Sequence, residues 1–205
     1  MAVLPLEILF YIFIAYISAK SSQSYQFNTK KNKWFFVLSI MTGLLLIRIA
    51  LDRYNALVRW RNCICLEIPN KLNNYKIAAS TLSDSGYFLS TYAYECIKEE
   101  KYKSALEILQ QARVLSPDVE VVYMQAAVFE KLNNLKEAEK CYLFVEYARP
   151  DLLTPIYKLS LLYYKSANTD AFRSTAQKVL AFKPKIMSST TERMVNEIKD
   201  LLKNK

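Results

Sequence analysis

The chain has 205 residues, enough for one modest domain with additional apolar segments. Hydrophobic residues make up 52% of the sequence and only two residues are glycine, a composition that favours helices over sheets. Histidine is absent, so the commonest general base and the commonest metal ligand are both missing. The formal charge of +9 suits nucleic acid or a membrane surface. Because apolar segments are present, we expect the membrane and no nucleic-acid partner.

Two long apolar runs open the chain. Residues 3–19 read VLPLEILFYIFIAYISA and residues 34–51 read WFFVLSIMTGLLLIRIAL. Each approaches the ~20 residues that a helix needs to cross a bilayer. The first run lacks the basic start of a signal peptide and carries Glu7, so we do not expect cleavage. Together the runs predict a transmembrane hairpin over residues 1–51. Glu7 and Arg48 either reach the headgroups or contact another membrane subunit.

The connection between the two runs is basic. Residues 20–33 read KSSQSYQFNTKKNK, with four lysines and no acidic residue. Short basic loops stay in the cytoplasm, so this loop predicts that the N-terminus and the repeat block both lie outside the cytoplasm. We therefore expect an integral inner-membrane protein with a periplasmic repeat domain, although the arginines after the second run make that side basic as well.

Three arginines, Arg53, Arg59 and Arg61, follow the second apolar run. One interpretation is a solvated basic face that meets anionic lipid headgroups. The other is a site for the phosphates of a lipid-linked glycan, which arginine binds bidentately. Membrane lipid or a lipid-linked glycan is then a partner of this region.

A repeat of about 34 residues runs through residues 86–184. Pro117, Pro150 and Pro184 are spaced by 33 and 34 positions, and an alanine stands twelve residues before each of the first two. A fixed period of this length with helical patterning is typical of the tetratricopeptide repeat, a helix–turn–helix unit that stacks into a solenoid. The pattern predicts three such repeats in an all-α chain. The third departs from it at Phe172, where the other two have alanine.

Flanking segments extend the repeat block on both sides. The segment KLNNYKIA at 71–78 echoes KLNNLKEA at 131–138, which forms the turn and the second helix of a predicted repeat. The echo indicates a linker helix and a degenerate repeat over residues 52–85, and it predicts the same turn at the earlier copy. Residues 185–205 predict an amphipathic capping helix.

Six segments carry a more particular likeness: KWFF, GYFLSTYA, KYKSALEILQQA, EKLNNLKEAEKCY, RPDLLTPIYKLSLLYY and KPKIMSSTTERM. With the apolar hairpin, they resemble the C-terminal part of the O-antigen ligase/polymerase-like membrane proteins of Bacteroidetes. The resemblance implies a role in envelope polysaccharide assembly and a polytopic ligase subunit as partner. Those proteins have many more spans and a large loop with catalytic Arg and His. This chain lacks both, so no catalytic residue is carried over.

The sequence offers no constellation for catalysis or cofactor binding. Cys63 and Cys65 lie two positions apart on the linker helix, where their side chains diverge by about 200°. Cys96 and Cys141 fall inside repeat helices and are best interpreted as small buried apolar residues. We therefore expect neither an enzyme nor a metal or cofactor site, while a disulfide between helices stays open.

The concave face of the solenoid is the predicted binding site. One stripe of each first helix lines this groove, with Ser90, Ala127 and Leu161 among its members. Its remaining members are Tyr87, Tyr94 and Lys98 in the first repeat, Tyr123 and Lys131 in the second, and Tyr157, Tyr164 and Lys165 in the third. Tyrosines offer apolar area with a polar tip, which suits a protein or glycan partner. The alternative is that several of them pack inside the superhelix.

Two functions follow from these patterns. The first is a membrane-anchored repeat scaffold that binds a protein partner, in envelope polysaccharide assembly. The second is a truncated or split C-terminal part of an O-antigen ligase/polymerase, without catalytic activity in the absence of the missing membrane domain.

Overall fold

A computed structural model describes residues 13, 16, 33–66, 70–184 and 188–203. Nine helices account for nearly all of these residues, and no strand occurs among them, so the predicted all-α fold is confirmed for this part of the chain. The helices are α1 (Lys33–Cys65), α2 (Lys71–Leu82), α3 (Gly86–Lys98), α4 (Tyr102–Leu115), α5 (Val119–Lys131), α6 (Leu135–Ala148), α7 (Leu153–Lys165), α8 (Thr169–Ala181) and α9 (Ser189–Lys203).

Two compact units divide the chain, residues 1–50 and residues 51–205. In the first unit, most described apolar side chains of α1 between Val37 and Ala50 are exposed. The second unit holds the buried core and all of α2 to α9.

The predicted transmembrane segments are the main correction. Within the described ranges, no helix combines the length and the apolar character needed to cross a membrane. Helix α1 carries Arg48, Asp52 and Arg53, and charged side chains are costly in a lipid core. The predicted span 3–19 lies outside the described residues except for Phe13 and Tyr16. The prediction of an integral inner-membrane protein with a periplasmic repeat domain is contradicted by this finding.

The second unit is a stack of helical hairpins. Helix α3 packs against α4, α5 against α6, and α7 against α8. Successive hairpins meet through the contacts of α4 with α5 and of α6 with α7, and α9 packs on α8 and α7. Each helix contacts its neighbours in the chain, which is the organisation of a helical repeat solenoid.

The turn within each hairpin has the same geometry. Glu100, Asn133 and Ala167 have φ values of 56°, 58° and 56°, in the left-handed region. The N–H of the next residue then donates to a carbonyl five residues earlier, at 2.8 Å, 2.9 Å and 3.0 Å respectively. This pattern is the Schellman motif, which satisfies carbonyls at a helix end. It lets a turn of very few residues reverse the chain.

The two KLNN segments differ, contrary to the echo in the sequence. At 131–134 the segment ends α5 and forms the turn, as predicted. At 71–74 it forms the first turn of α2, and Asn70 takes the left-handed conformation with φ 58°. The difference follows from Pro69, because a proline and the residue before it cannot continue an incoming helix to Lys71. The left-handed residue therefore comes three positions earlier than the echo predicts.

The ends of the second helices depend on proline and on one close approach. Helices α4, α6 and α8 end two or three residues before Pro117, Pro150 and Pro184. Gly86, the first residue of α3, lies against the end of α4. A Cβ atom placed on Gly86 would be 2.7 Å from the Cβ of Ser116, so only glycine fits without displacement.

The buried residues form two apolar clusters that share α5. Val121 and Val128 belong to the cluster with α1 to α4, whereas Val122 and Ala126 belong to the cluster with α6 to α9. Phe172, where the repeat pattern has alanine, is fully buried in the second cluster and packs edge-on against Tyr164, with centroids 5.3 Å apart. The third hairpin thus accommodates a large side chain at a small-residue position.

Candidate functional site

A cleft of about 380 Å³ lies between the first helices of the hairpins in the second unit. We call it the tyrosine cleft. Its lining comes mainly from α3 and α5, with contributions from the end of α1 and from α2. The lining residues are Cys63, Ile64, Tyr75, Tyr87, Ser90, Thr91, Tyr94, Glu95, Glu120 and Met124.

Helix periodicity places the two exposed tyrosines on the same side of α3. Tyr87 and Tyr94 are seven residues apart, or about two helical turns, so they share a face. Leu89, Ala93 and Cys96 are buried on the opposite side. Tyr87 is 68% exposed and Tyr94 is 55% exposed. Burial of one side of α3 therefore directs both rings into the cleft.

Trp60 of α1 packs against the residues of α3 that line the cleft. Its indole N–H donates to the Thr91 hydroxyl at 3.0 Å, and its ring packs edge-on against Tyr87 and Phe88 with centroids 5.6 Å and 5.5 Å apart. Thr91 in turn donates to the Phe88 carbonyl at 2.8 Å. These contacts hold Tyr87 against the half-buried ring of Trp60, which reduces the entropy cost of ordering Tyr87 when a partner binds.

Two carboxylates give the cleft its charge. Glu95 pairs with Lys98 at 3.4 Å. Glu120, in the first turn of α5, is exposed and forms no ion pair within the described residues. The positive end of the helix dipole favours a carboxylate at this position. Tyrosine rings beside an available carboxylate can contact both apolar and cationic groups.

Solved structures share the arrangement of these hairpins, whereas neither a protein-family model nor a curated protein matches the sequence. PilW, a type IV pilus biogenesis factor, superposes with a TM-score of 0.60 at 14% identity, over 82% of this chain and 77% of PilW. MamA from its residue 41 onward, from Desulfovibrio magneticus RS-1, gives 0.58 at 16% identity, over 75% and 97%. The Sgt2 TPR domain from Aspergillus fumigatus gives 0.50 at 14% identity, over 58% and 80%.

The fold is a tetratricopeptide-repeat fold. The repeat type predicted from the proline period is thereby confirmed. At these identities the likeness shows the fold alone. The resemblance to O-antigen ligase/polymerase-like proteins is not supported by the comparisons.

The predicted groove tyrosines separate into three groups in this repeat fold. Tyr87 and Tyr94 line the cleft, as described above. Tyr123 and Tyr164 are half-buried and pack against rings of the second helices. Tyr157 is only 9% exposed, and its hydroxyl donates to Glu197 of α9 at 2.6 Å. The α3 tyrosines are therefore available to a partner, and Tyr157 is part of the core.

The predicted groove lysines stand at the ends of the first helices. Lys98, Lys131 and Lys165 each lie in the last turn of a first helix, where a positive charge is favoured by the helix dipole. Lys165 also forms an ion pair with Glu130 of α5. Burial by itself would raise the pKa of Glu130, but the bond and charge of Lys165 outweigh it and lower that pKa. Lys131 is exposed, with no ion pair among the described residues.

The three predicted arginines do not form one site. Arg53 pairs with Asp84 at 2.9 Å, which ties α1 to the loop after α2. Arg59 and Arg61 are exposed, but two positions on a helix place them about 200° apart. The arrangement does not converge on a phosphate.

The sequence pattern missed Glu120 and Met124 of the cleft lining, as well as Ile64, Tyr75, Thr91 and Glu95, and it missed Trp60, which packs against Tyr87. Counting from the prolines could have found the first two, because Glu120 is 33 positions after Tyr87 and Met124 is 33 after Thr91. The predicted stripe included Tyr123 but neither Glu120, three positions before it, nor Met124, directly after it. Trp60 has no such signal, because it belongs to α1, outside the regular period.

All four cysteines are free thiols. Burial raises the pKa of Cys63 and Cys141, and it raises the pKa of Cys96 to about 11. Thiols with raised pKa values are poor nucleophiles, because the reactive form is the thiolate. Cys65 is exposed. The buried thiols thus act as small apolar side chains in the repeat core.

Proposed function

We propose that this chain is a protein-binding repeat scaffold that holds a segment of a partner protein in the tyrosine cleft. The observation that carries the proposal is the pair of exposed rings, Tyr87 and Tyr94, on one face of α3 and over a cleft. Tyrosine is enriched among the residues that contribute most to protein–protein binding, because it brings large contact area with few rotatable bonds.

The rest of the cleft suits a peptide segment. Met124 adds a flexible apolar surface, which adapts to different side chains. Ser90 and Thr91 lie between the two tyrosines on α3 and provide hydroxyls near the rings. A fixed aromatic base with a few polar groups at its margin is the usual anatomy of an interface core and its rim.

A narrower role in envelope polysaccharide assembly has only the sequence resemblance behind it, as has the alternative of a split ligase fragment. Neither is needed for the binding proposal. The function we argue is the binding of a protein segment, without an enzymatic step.

A phage-displayed library of random peptides tests the proposal directly. We expect selection on the 205-residue chain to yield peptides that bind saturably, with affinities measured by isothermal titration calorimetry. Tyr87→Ala and Tyr94→Ala should each weaken binding about tenfold or more, since truncation of a central aromatic residue typically costs over 1 kcal/mol.

Tyr147→Ala provides the matched control. Tyr147 is 88% exposed on α6 and lies outside the cleft, so its removal should leave the affinity unchanged. The proposal fails if the selected peptides bind the Tyr87→Ala/Tyr94→Ala double variant as well as the unsubstituted chain, or if selection yields no binding peptide.

A further inference from the structure

We infer that the segment bound in the tyrosine cleft presents a basic side chain, lysine or arginine, to Glu120, between the ring of Tyr94 and the side chain of Met124. This inference rests on the proposed function and specifies the chemistry of the partner. Its basis is the combination of a carboxylate without an ion pair, exposed aromatic rings and an apolar side chain in one cleft.

Glu120 differs from the other acidic residues near the concave face. Glu95 and Glu130 are mostly covered, with side chains 14% and 16% exposed, and each is paired with a lysine of a first helix. Glu120 is exposed and has no such lysine. In a chain with 28 basic and 19 acidic residues, a carboxylate left without a pair in a cleft is available to an external cation.

The neighbours of Glu120 suit the other parts of a basic side chain. Lysine and arginine carry an apolar stem that packs on apolar surface while the charged head reaches a polar partner. Met124 lies one helical turn after Glu120 on α5 and offers that surface. The exposed rings of Tyr87 and Tyr94 supply faces that attract a cation.

An acidic segment is disfavoured by the same features. Seating a carboxylate or phosphate in the cleft would place a negative charge near Glu120, and burying like charges without a counter-ion is costly. The lysines at the ends of the first helices do not offset this. Lys98 is already paired with Glu95, and neither Lys131 nor Lys165 lines the cleft.

The experiment uses the peptides selected on the 205-residue chain and compares charge-neutral variants on both sides. We expect the selected peptides to share a lysine or arginine. Replacing that residue with glutamine should weaken binding about tenfold, and Glu120→Gln should do the same. Combining the two changes should add little, because both remove one interaction. Glu107→Gln, at an exposed glutamate of α4 outside the cleft, is the matched control and should have no effect.

Charge reversal provides the stricter test. Glu120→Lys should abolish binding of the basic peptide and restore binding to a peptide in which the shared basic residue is glutamate. Affinity of the original pair should also fall as salt rises.

The outcomes separate the two proposals. If Tyr87→Ala and Tyr94→Ala weaken binding but Glu120→Gln does not, the cleft binds peptides, and the inference that a basic side chain contacts Glu120 is wrong. Selected peptides that share an acidic residue in place of a basic one would overturn the inference in the same way. If peptide affinity is unchanged in the Tyr87→Ala and Tyr94→Ala variants, the proposed function itself is overturned.

Discussion

At the scale of single residues, the close approach at Gly86 sets the distance between the start of α3 and the end of α4. The Cβ that any other residue would carry meets Ser116 Cβ at 2.7 Å and the Ser116 backbone nitrogen at 3.3 Å. Neither atom is the far end of a flexible side chain, so backbone must shift to make room. The packing of α3, which lines the tyrosine cleft, against α4 depends on this contact.

Gly86→Ala should therefore destabilise the chain by about 1–3 kcal/mol, the range for overpacking a tight site. Urea unfolding followed by circular dichroism measures the change. Gly43→Ala is the matched control, since a Cβ at Gly43 meets nothing within 4 Å and alanine is the better helix former. If both substitutions leave the unfolding midpoint unchanged or raise it, the close approach does not limit packing.

The predicted groove tyrosines show which properties of single residues the sequence can predict. The proline period correctly predicts which residues lie on first helices, because it counts from the helix ends. The period does not distinguish the exposed Tyr94 from the buried Tyr157, because both lie on the same predicted stripe. The difference arises from α9, whose Glu197 accepts the Tyr157 hydroxyl at 2.6 Å from 40 positions away. No local pattern reports a contact of that separation.

At the scale of elements, α9 contacts α7 through the partly buried hydrogen bond between Tyr157 and Glu197 and through apolar side chains. Ile198 is fully buried, while Met194, Leu201 and Leu202 are half-buried against the same cluster. Burial and then the Glu197 carboxylate raise the pKa of Tyr157 to about 12. The protonated phenol is thus the form that the folded state favours.

Alkaline pH should weaken this junction. Because the folded pKa lies above the ordinary value of 10.0, the contact contributes fully below pH 10.0 and is lost as pH rises toward 12. Tyr157→Phe should lower stability at neutral pH by about 1–3 kcal/mol, since it removes a bond to a charged acceptor. It should also lose less stability between pH 10 and 12 than the unsubstituted chain. Chemical unfolding across that pH range measures both effects.

Tyr147→Phe, at an exposed tyrosine of α6, should follow the curve of the unsubstituted chain. An equally steep alkaline loss in Tyr157→Phe would show that the junction is not what titrates.

The two KLNN segments show that a short sequence match does not determine secondary structure. The tetrapeptide KLNN forms a turn after α5 and the first helical turn of α2. Identical residues adopt different structures because the residues before them differ. Residues 128–130 (VFE) belong to α5, whereas residues 67–69 (EIP) end in a proline. Sequence identity over four residues is weaker than the constraint from one neighbouring proline.

At the scale of the whole molecule, the repeat fold follows from one periodicity, and the candidate site does not. Prolines at 33 and 34 spacings predict helical hairpins, and buried alanines such as Ala105 and Ala138 allow close helix packing. The tyrosine cleft needs Trp60 from outside the period and Glu120 from the next hairpin. Apolar content alone also misled, since it predicted membrane spans where the structure has none among its described helices.

The two apolar clusters predict how stability is distributed along the stack. Helix α5 contributes Val121 and Val128 to one cluster and Val122 and Ala126 to the other, so the clusters are adjacent but distinct. In a repeat stack each unit is stabilised by its own packing and by its nearest neighbours. A loss within one cluster should therefore be felt first in the helices that share that cluster.

Phe88→Leu and Phe172→Leu form a matched pair for this test, because both rings are fully buried, one in each cluster. Each should cost on the order of 1–3 kcal/mol, the scale for removing part of a core side chain. Residue-resolved amide hydrogen exchange should show lost protection mainly in α2 to α4 for Phe88→Leu, and mainly in α6 to α9 for Phe172→Leu. Helix α5 should respond to both. Uniform loss of protection across all these helices in either variant would mean that the stack unfolds as one unit, and the two clusters would then have no energetic independence.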